Sequence, residues 1–286
     1  MTGTARPFGV DHLTMLDTSP PELVGLAAAA GFAHVGLRIH PMDPTERPWP
    51  MAPGSPMLAE TVARRDDTGI RIPVVEVLLL DEHADIAAVE PYLHAGAELG
   101  AHLLYVVGQD PELDRLADRF AELTRLALTY RIRPVIEPMA YRPVRDLATA
   151  LAVVSRSGGG GVLVDSLHLL RSGGTPADVA GAGDPALLPV AQLCDATAQV
   201  GAMPADAVAA RGQSAEVPPL QWEARVGRLL PGEGALPLAD VVRALPAETL
   251  LALEAPNYHA LRERGAEGFL TEAARRMTLL LEEALS

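Results

Sequence analysis

Eight short apolar runs, each followed by a helix-type run, restrict the possible folds of this chain more than any other feature of its sequence. The apolar runs are rich in Val, Ile and Leu and predict buried parallel strands. They cover residues 8–15, 34–40, 71–80, 102–108, 133–139, 161–165, 187–195 and 249–254. Helices are predicted over 19–31, 57–68, 84–99, 111–130, 144–155, 176–180, 238–245 and 267–285. Eight such strand–helix units predict an α/β protein, a (β/α)8 TIM barrel.

The alternation of strands and helices is not interrupted by a linker. A chain of 286 residues can form two domains or one large α/β domain, and the unbroken pattern favours one domain over residues 1–286. Residues 196–236, after the seventh strand, carry no recognisable element. This stretch is too long for an ordinary connection, so we expect it to be a functional loop or lid.

The charge balance and the single cysteine exclude several classes of function. With 23 basic and 37 acidic residues the net charge is −14, which repels phosphate backbones and argues against nucleic acid. No apolar run approaches the ~18 residues of a membrane span, and the N-terminus has no hydrophobic signal region. Cys194 is the only cysteine, which excludes an internal disulfide and fits a reducing compartment. We therefore expect a cytoplasmic protein that acts on a small molecule; self-association into a homo-oligomer is left open.

Polar side chains lie at the C-terminal ends of four consecutive predicted strands. Strand five reaches Glu137, strand six ends at Asp165 and strand eight at Glu254, while strand seven ends in a segment that contains Gln192 and Asp195. In a TIM barrel these ends surround one pocket. Clustered carboxylates raise one another's pKa unless a cation neutralises them. An all-oxygen set of two Glu, one Asp and an amide suits Mg²⁺ or Mn²⁺, so we expect one such ion.

A structural role is the alternative for each of these residues. Asp165 would then cap the following helix, and His168, three residues later, would pack. Glu137 and Glu254 would be polar termini that stand shortly before prolines because the chain turns there. Four polar ends on adjacent strands are harder to explain in this way than one, which favours the metal site.

The same residues resemble the xylose-isomerase-like TIM-barrel superfamily, which includes sugar and sugar-phosphate isomerases and epimerases. The similarity lies in Ile136-Glu137-Pro138, in Asp165-Ser166-Leu167-His168 and in the final Leu253-Glu254, in strand order along essentially the whole barrel. It implies that Glu137, Asp165 and Glu254 are metal ligands, and that His168 contacts the substrate or supports a ligand.

Strand seven departs from the family pattern. Gln192-Leu193-Cys194-Asp195 has Gln in the position of the family's His and Cys in that of its Lys. The resemblance then implies Gln192 as the fourth metal ligand, as in dehydratase-like members of the superfamily that hold the metal with Glu, Asp, Gln and Glu. Cys194 is interpreted as a small packing residue rather than a nucleophile.

Four further residues are candidate substrate contacts. The segment that begins at Arg228 resembles the family's turn with a substrate-contacting Arg; the alternative is a surface turn with a solvated Arg. Glu76 lies in the middle of the third strand, where a carboxylate facing the barrel must be paired or protonated. His12, near the end of the first strand, and Trp49, in a proline-rich loop, are placed to line the pocket, although packing is an equal alternative for His12.

The predicted site supports removal of a proton next to a metal-chelated carbonyl. Glu137 and Glu254 would stand on opposite sides of the substrate, so that one removes a proton and the other returns it. Epimerisation, isomerisation and dehydration share this first step, and the resemblance to the superfamily implies a sugar isomerase or epimerase. The alternatives are a dehydratase or lyase acting on a dehydroshikimate- or inosose-like cyclic hydroxyketone, and a catalytically silent barrel that serves as a subunit or binding protein. A DNA-repair endonuclease of the same superfamily is disfavoured by the acidic charge and by only eight histidines.

Overall fold

Eight parallel strands pair in sequence order, and the eighth pairs with the first, so that the sheet closes into a barrel. This computed structural model describes residues 6–42, 46–202, 206–207 and 218–286 of the chain. The (β/α)8 TIM barrel predicted from the sequence is thereby confirmed. The strands are β1 (Phe8–Asp11), β2 (His34–Arg38), β3 (Arg71–Leu80), β4 (Leu103–Gly108), β5 (Arg133–Glu137), β6 (Gly161–Asp165), β7 (Val190–Leu193) and β8 (Leu250–Leu253).

The helices form the layer outside the barrel. Helix α2 (Pro56–Thr68) shows how the sequence sets their ends: the Ser55 hydroxyl accepts the Leu58 N–H, Pro56 lies in the first turn, and Gly69 ends the helix at φ 72°. Helix α10 (Tyr258–Leu285) is broken at Gly265 (φ 68°, ψ 170°), so the predicted helix 267–285 corresponds to its second part. Among the described residues, no helix is long and apolar enough to cross a membrane. The helices are α1 (Pro20–Ala30), α2 (Pro56–Thr68), α3 (Glu90–Leu99), α4 (Leu113–Thr129), α5 (Leu147–Ser155), α6 (Ser166–Arg171), α7 (Pro176–Ala180), α8 (Pro219–Val226), α9 (Leu238–Ala244) and α10 (Tyr258–Leu285).

Two apolar layers support the barrel. Side chains alternate along β4: Leu103, Tyr105 and Val107 belong to the cluster inside the barrel, whereas Leu104 and Val106 belong to the cluster between the strands and the helices. The interior cluster fills the barrel as a packed core. Its upper residues, at the carboxyl ends of the strands, lie directly beneath the cavity that contains the candidate site.

The first strand is shorter than the predicted strand 8–15. β1 ends at Asp11, and His12–Met15 forms a 3₁₀ turn. The backbone N–H of His12 donates to the Glu76 carboxylate at 2.8 Å instead of to a neighbouring strand. The apolar run therefore continues past the point at which the hydrogen bonding of the barrel stops, and the residue that ends the strand is an acid.

The stretch predicted as a long loop or lid is partly helical. α8 lies within residues 196–236, and its residues Ala224 and Arg225 line the cavity at the barrel mouth. β7 stops at Leu193, short of the predicted end at 195, because the next segment leaves the barrel: Asp195 and Leu229 exchange backbone hydrogen bonds of 2.8 Å. Residues 203–205 and 208–217 of this stretch lie outside the described residues.

Asp195 fixes the segment that follows α8. Its carboxylate accepts four backbone N–H groups, from Ala196 at 2.8 Å, Gly232 at 3.0 Å, Gly234 at 2.9 Å and Leu236 at 3.0 Å. A Cβ at Gly234 would lie 2.3 Å from both the Ala196 carbonyl oxygen and the Asp195 carboxylate, so this turn requires glycine. Asp195 therefore organises the loop and is not a ligand in the barrel mouth.

Asp195→Ala is expected to lower the free energy of unfolding by roughly 3 kcal/mol, because four backbone donors lose a charged acceptor at once. The matched control is Asp240→Ala on α9, which removes an exposed pair with Arg243 at 2.8 Å and should change stability by less than about 0.5 kcal/mol. Urea unfolding followed by circular dichroism measures both. A loss no greater than that of the control would contradict the role assigned to Asp195.

Candidate active site

A cavity of 340 Å³ opens at the carboxyl ends of the strands. Five of the residues predicted to form the site line it, contributed by β3, by the ends of β5 and β8, by α6 and by the segment after α8. They are Glu76, Glu137, Glu254, His168 and Arg228. The site therefore lies where the loops of a TIM barrel enclose a pocket.

Glu137, Asp165 and His168 form a compact cluster at this end of the barrel. One potential ligand atom from each lies within 4.8 Å of the others, and all three side chains are buried. His168 Nε2 is 3.8 Å from Glu137 Oε1, and neither atom has a hydrogen-bond partner among the described residues. The His168 ring also meets the ring of Tyr141 edge to face at 5.5 Å. These unpaired polar atoms are the part of the cluster that is free to bind a ligand.

Asp165 caps the helix that follows it, which is one of the two roles that the sequence left open, and it also belongs to the compact cluster. Its Oδ1 accepts the backbone N–H of His168 at 2.9 Å and so caps α6. The first turn of α6 then carries the His168 ring back toward Glu137. The cap is thus the means by which β6 brings an acid and a histidine to the same place.

Arg228 lies between two of the predicted metal ligands. One terminal nitrogen of its guanidinium is 2.5 Å from Asp165 Oδ2, the other is 2.9 Å from Glu254 Oε2, and Nε donates to the Ala224 carbonyl at 2.7 Å. Arg228 was predicted as a substrate contact; it is 1% exposed and pairs with the acids of the site. Cys194 Sγ lies 3.6 Å from the same guanidinium, and burial raises the pKa of its thiol to about 12, which agrees with a packing role.

Gln192 connects Glu254 to an acid that the sequence did not suggest. Its side-chain amide donates to Glu254 Oε1 at 2.8 Å and to Asp11 Oδ2 at 2.9 Å, while Gln192 Oε1 has no partner. The Tyr105 hydroxyl donates to Asp11 at 3.1 Å. Asp11 was missed because it fell inside the predicted first strand. Had that strand been ended at Asp11, the residue would have been a fifth polar strand end.

Glu76 forms a second acidic group in the cavity. It accepts the His12 backbone N–H at 2.8 Å and pairs with Arg38 at 3.0 Å, and Arg38 also pairs with Glu46 at 2.8 Å. The requirement that a carboxylate inside the barrel be paired is therefore met by Arg38, a residue of β2. Glu76, Arg38 and Glu46 all line the cavity.

His12 and Trp49 do not line the cavity, contrary to the prediction that they contact the substrate. His12 uses both ring nitrogens inside the fold: Nδ1 accepts the Arg38 N–H at 3.0 Å, and Nε2 lies 2.8 Å from the Thr18 carbonyl. Burial lowers the pKa of His12 to about 4, so it is neutral. Arg47, which stacks on Trp49 with 4.5 Å between guanidinium carbon and ring centroid, lines the cavity in place of the tryptophan.

Burial and mutual repulsion set the pKa values of the acids. Burial, followed by the charges of Glu254 and Asp165, raises the pKa of Glu137 well above its usual value. Burial likewise raises the pKa of Glu254 to about 8, although Arg228 opposes this. For Asp165, burial acts upward but the Arg228 charge holds the pKa below its usual value. Burial lowers the pKa of His168 to about 4, so its ring is neutral.

The charges at this end of the barrel are compatible with a bound divalent cation. Five buried carboxylates lie with two buried arginines at this end of the barrel, so that the buried acids outnumber the buried arginines; the acids are Asp11, Glu76, Glu137, Asp165 and Glu254, and the arginines are Arg38 and Arg228. A cation or bound protons must offset this surplus. The unpaired Glu137 Oε1, Gln192 Oε1 and His168 Nε2 provide donors for a cation. Because His168 adds a nitrogen to the oxygen set, Zn²⁺ suits the cluster as well as Mn²⁺ or Mg²⁺.

The raised pKa values predict how the stability of the metal-free protein depends on pH. The folded pKa of Glu254, about 8, lies above its reference value of 4.5, and that of Glu137 is raised in the same direction. The folded state therefore binds these protons more tightly, and stability should fall as the pH rises from about 4.5 through about 8. Glu137→Gln should consequently make the chelator-treated protein more stable at pH 8 by about 1–2 kcal/mol, with a smaller gain at pH 5.

The same substitution at Glu76 is the control, since it removes a carboxylate that pairs with Arg38. Glu76→Gln is expected to lower stability by roughly 3 kcal/mol, because it leaves a buried guanidinium with one partner fewer. Urea unfolding at the two pH values measures all three proteins. Destabilisation by Glu137→Gln at pH 8 would show that Glu137 has a structural partner.

Solved structures share this fold. The IolI protein, with a bound zinc atom, superimposes with a TM-score of 0.73 at 16% identity, covering 98% of this chain and 99% of that one. An L-ribulose 3-epimerase gives a TM-score of 0.68 at 13% identity, covering 97% of this chain and 95% of that one. The probable 3-DHS dehydratase AsbF from Bacillus anthracis, involved in petrobactin synthesis, gives 0.72 at 14% identity, covering 95% and 98%.

A longer protein, a xylose isomerase-like TIM barrel/4-hydroxyphenylpyruvate dioxygenase fusion, also superimposes, with a TM-score of 0.73 at 19% identity. The match covers 98% of this chain and 43% of the fusion protein. No curated protein matches the sequence. The family described as xylose isomerase-like TIM barrel matches residues 24–278, which is most of the chain. With the closed eight-stranded barrel, this match shows that the chain belongs to the xylose isomerase-like TIM barrel family.

Proposed function

We propose that this protein is a metal-dependent isomerase or epimerase that moves a proton next to the carbonyl of a small hydroxylated substrate. The observation that carries the proposal is the buried cluster of Glu137, Asp165 and His168, whose ligand atoms lie within 4.8 Å of one another beside a 340 Å³ cavity. Glu254 lines the same cavity and has a raised pKa. Perturbed carboxylates that converge on one cavity are typical of sites for proton transfer.

The residues that would hold the cation are Glu137, Asp165, Gln192 and Glu254, with His168 as a further donor. The bound zinc atom of the IolI protein supports a metal in this fold, and the negative surplus of the site supports it in this chain. When bound, the cation would polarise the substrate carbonyl and acidify the neighbouring C–H. The choice among Zn²⁺, Mn²⁺ and Mg²⁺ remains part of the proposal.

Glu137 is the better placed of the two acids to accept the proton. Its Oε1 has no partner among the described residues, and burial raises its pKa, which makes the ionised carboxylate a stronger base. Glu254 arrives from the other side of the barrel mouth and is fixed by Gln192 and Arg228. Burial raises its pKa to about 8, so it holds a proton more readily than an ordinary carboxylate and is suited to return one to the opposite face.

His168 and Arg228 would position these groups. Because the His168 ring is neutral, its unpaired Nε2 can bind a substrate hydroxyl without adding a charge to the site. Arg228 keeps Asp165 ionised and holds Glu254 in place through its two terminal nitrogens. Each acid would thereby keep a separate task, since their environments differ.

Gln192 supports dehydration of a cyclic hydroxyketone as a second candidate. It lies on β7, where the family pattern has His, and the resemblance to dehydratase-like members rests on this residue. The structural similarity to the probable 3-DHS dehydratase AsbF is in line with this candidate. Dehydration begins with the same proton removal, and the two reactions differ in whether a leaving hydroxyl lies next to the carbon that loses the proton.

The protein is expected to bind about one divalent ion per chain and to gain about 2.7 kcal/mol of stability when free metal is 100 times its dissociation constant. Elemental analysis of protein purified without added metal, and again after Zn²⁺ or Mn²⁺ loading, measures the content. Asp165→Asn should lose the ion. The matched control is Asp110→Asn, because Asp110 is also buried and paired, with Arg115 at 2.6 Å, but does not belong to the cluster of Glu137, Asp165 and His168. A protein without stoichiometric metal after loading would contradict the proposal.

Catalysis is tested by deuterium exchange. The metal-loaded protein, incubated in D₂O with ketoses, inososes and dehydroshikimate-like compounds, should introduce deuterium next to a carbonyl, and loss of water would identify dehydration. Glu137→Gln should lower the rate by ~10²–10⁴ while metal binding weakens modestly. Glu22→Gln, at an exposed position on α1, serves as the control. Absence of exchange with every compound would favour a catalytically silent barrel.

A further inference from the structure

We infer that Asp11 is a positioning residue of the site: its carboxyl group turns the side-chain amide of Gln192 so that the nitrogen faces Asp11 and Glu254 and the oxygen faces the proposed cation. The oxygen of an amide binds a metal ion and its NH₂ group does not, so this orientation decides whether β7 supplies a ligand. The inference rests on the proposed metal-dependent function and assigns a role to a residue that this function does not itself use.

The Gln192 amide is held by its nitrogen. Nε2 donates to Asp11 Oδ2 at 2.9 Å and to Glu254 Oε1 at 2.8 Å, so both of its hydrogens are used by carboxyl oxygens. An amide oxygen turned toward the same two acceptors would gain no hydrogen bond and would be repelled by them. The two acids therefore select one of the two orientations that an amide can take by rotation of its last side-chain bond.

The amide oxygen lies on the opposite side. β7 pairs with β8 on one side and with β6 on the other, where the register partner of Gln192 is Asp165. The two acceptors of Nε2 come from the end of β8 and from β1, which pairs with β8. Oxygen and nitrogen diverge from the amide carbon, so Oε1 is directed away from these two acids and lies on the side of β6. It has no partner within the described part of the chain.

The barrel makes room for the Asp11 carboxyl group. Asp11 is the last residue of β1, is 0% exposed and lies opposite Gly36 of β2. A Cβ at position 36 would lie 2.2 Å from Asp11 Oδ1 and 3.0 Å from its carboxyl carbon, so another residue there would displace the carboxyl group. Gly36 does not have a positive φ. Glycine is therefore required at this position by the acid beside it and not by its own backbone conformation.

One oxygen of Asp11 shows that the acid is not there for packing. Oδ1 has no partner among the described residues, and a polar oxygen buried in this way destabilises a fold. Oδ2 accepts two hydrogen bonds, from Gln192 and from the Tyr105 hydroxyl at 3.1 Å. Because Tyr105 belongs to the packed interior of the barrel, it fixes Asp11 in turn. A chain of contacts thus leads from the barrel core through Asp11 to the proposed ligand.

The orienting hydrogen bond does not depend on the charge of Asp11. Burial, followed by the charge of Glu76, raises the pKa of Asp11 well above its usual value. A proton on Oδ1, the oxygen without a partner, leaves Oδ2 as the acceptor of both bonds. An asparagine at this position also offers one oxygen acceptor without a negative charge. Substitution can therefore separate the effect of orientation from that of charge.

The first test measures the Mn²⁺ dissociation constant of the folded, chelator-treated protein by electron paramagnetic resonance of the free ion. Asp11→Leu keeps the shape of the side chain but removes the acceptor, and should weaken Mn²⁺ binding by roughly 10- to 100-fold, as loss of a ligand's supporting partner does elsewhere. Asp11→Asn keeps the acceptor and should weaken it by less than about threefold. Equal losses in the two variants would show that Asp11 acts through its charge and would overturn the inference, as would unchanged binding in Asp11→Leu.

Gln192→Glu examines the same point from the side of the ligand. Both ends of the new side chain are oxygens, so it needs no orienting partner. In this background Asp11→Leu should no longer produce its loss of Mn²⁺ affinity, and Asp11→Ala replaces it if the leucine variant does not fold. A loss as large as that in the protein with Gln192 would contradict the orienting role, because the two substitutions would then act independently.

Nuclear magnetic resonance of the metal-free protein tests the orientation itself. The side-chain NH₂ signals of Gln192, identified by their absence from Gln192→Glu, should both be displaced to high frequency relative to those of the exposed Gln199, because both protons bond to carboxyl oxygens. One of them should return in Asp11→Leu and neither in Asp11→Asn. Signals of Gln192 that are not displaced in the unsubstituted protein would show that the oxygen faces the acids, contrary to the inference.

The two measurements distinguish this inference from the proposed function. Displaced Gln192 signals that depend on Asp11, in a protein that binds no Mn²⁺, would support the orienting role and contradict the metal-dependent function. Stoichiometric Mn²⁺ binding that Asp11→Leu leaves unchanged would support that function and contradict the orienting role.

Discussion

Arg228 reaches from the segment after α8 into the barrel mouth, where it pairs with Asp165 on β6 and with Glu254 just after β8 at 2.5 and 2.9 Å. It is almost completely buried, so these contacts form in a medium that screens charge poorly. The same residue is tied to α8 through the Ala224 carbonyl. The position of α8, the cap of α6 by Asp165 and the orientation of Glu254 therefore depend on one guanidinium. The turn that the Asp195 carboxylate holds places the Arg228 guanidinium in the barrel mouth.

The two buried arginines do not neutralise all of the buried carboxylates of the site. The negative charge that remains allows the site to bind a cation or a proton. Glu137 keeps an unpaired oxygen and a raised pKa, which makes the metal-free protein less stable at high pH. The unpaired oxygen of Glu137 is open to a cation or a proton, whereas both oxygens of Glu76 are used by His12 and Arg38. The pairing pattern therefore distinguishes Glu137 from Glu76. Strain of this kind is expected at functional sites, where stability is given up for reactivity.

The barrel core continues into the site. Val107 belongs to the packed interior of the barrel and also to the wall of the cavity. This part of the cavity surface is rigid, because interior side chains are close-packed and few can move without neighbours moving. Glu137 and His168, each with an unpaired atom, line the same cavity.

Several features of the site followed from the sequence. Parallel strands bring their carboxyl ends to one edge, so the order of strands was sufficient to place Glu137, Asp165 and Glu254 in one barrel mouth. The capping role of Asp165 and its proximity to His168 were both open from their spacing, and both hold in the structure. Local sequence patterns were sufficient to identify these residues, because strand periodicity and helix capping depend on residues that are neighbours in the chain.

Other features were decided only by the tertiary structure. The end of β1 at Asp11 depends on hydrogen bonding to residues far away in sequence, among them Gln192, which is 181 positions later. Whether the Arg228 side chain contacts solvent, a substrate or the acids depends on the turn that the Asp195 carboxylate holds. His12 does not line the cavity, because its ring nitrogens form hydrogen bonds within the fold. The sequence determined which groups reach the barrel mouth. Which of them are paired there was decided by contacts across the barrel, because hydrogen-bond partners are chosen by distance in space and not by spacing along the chain.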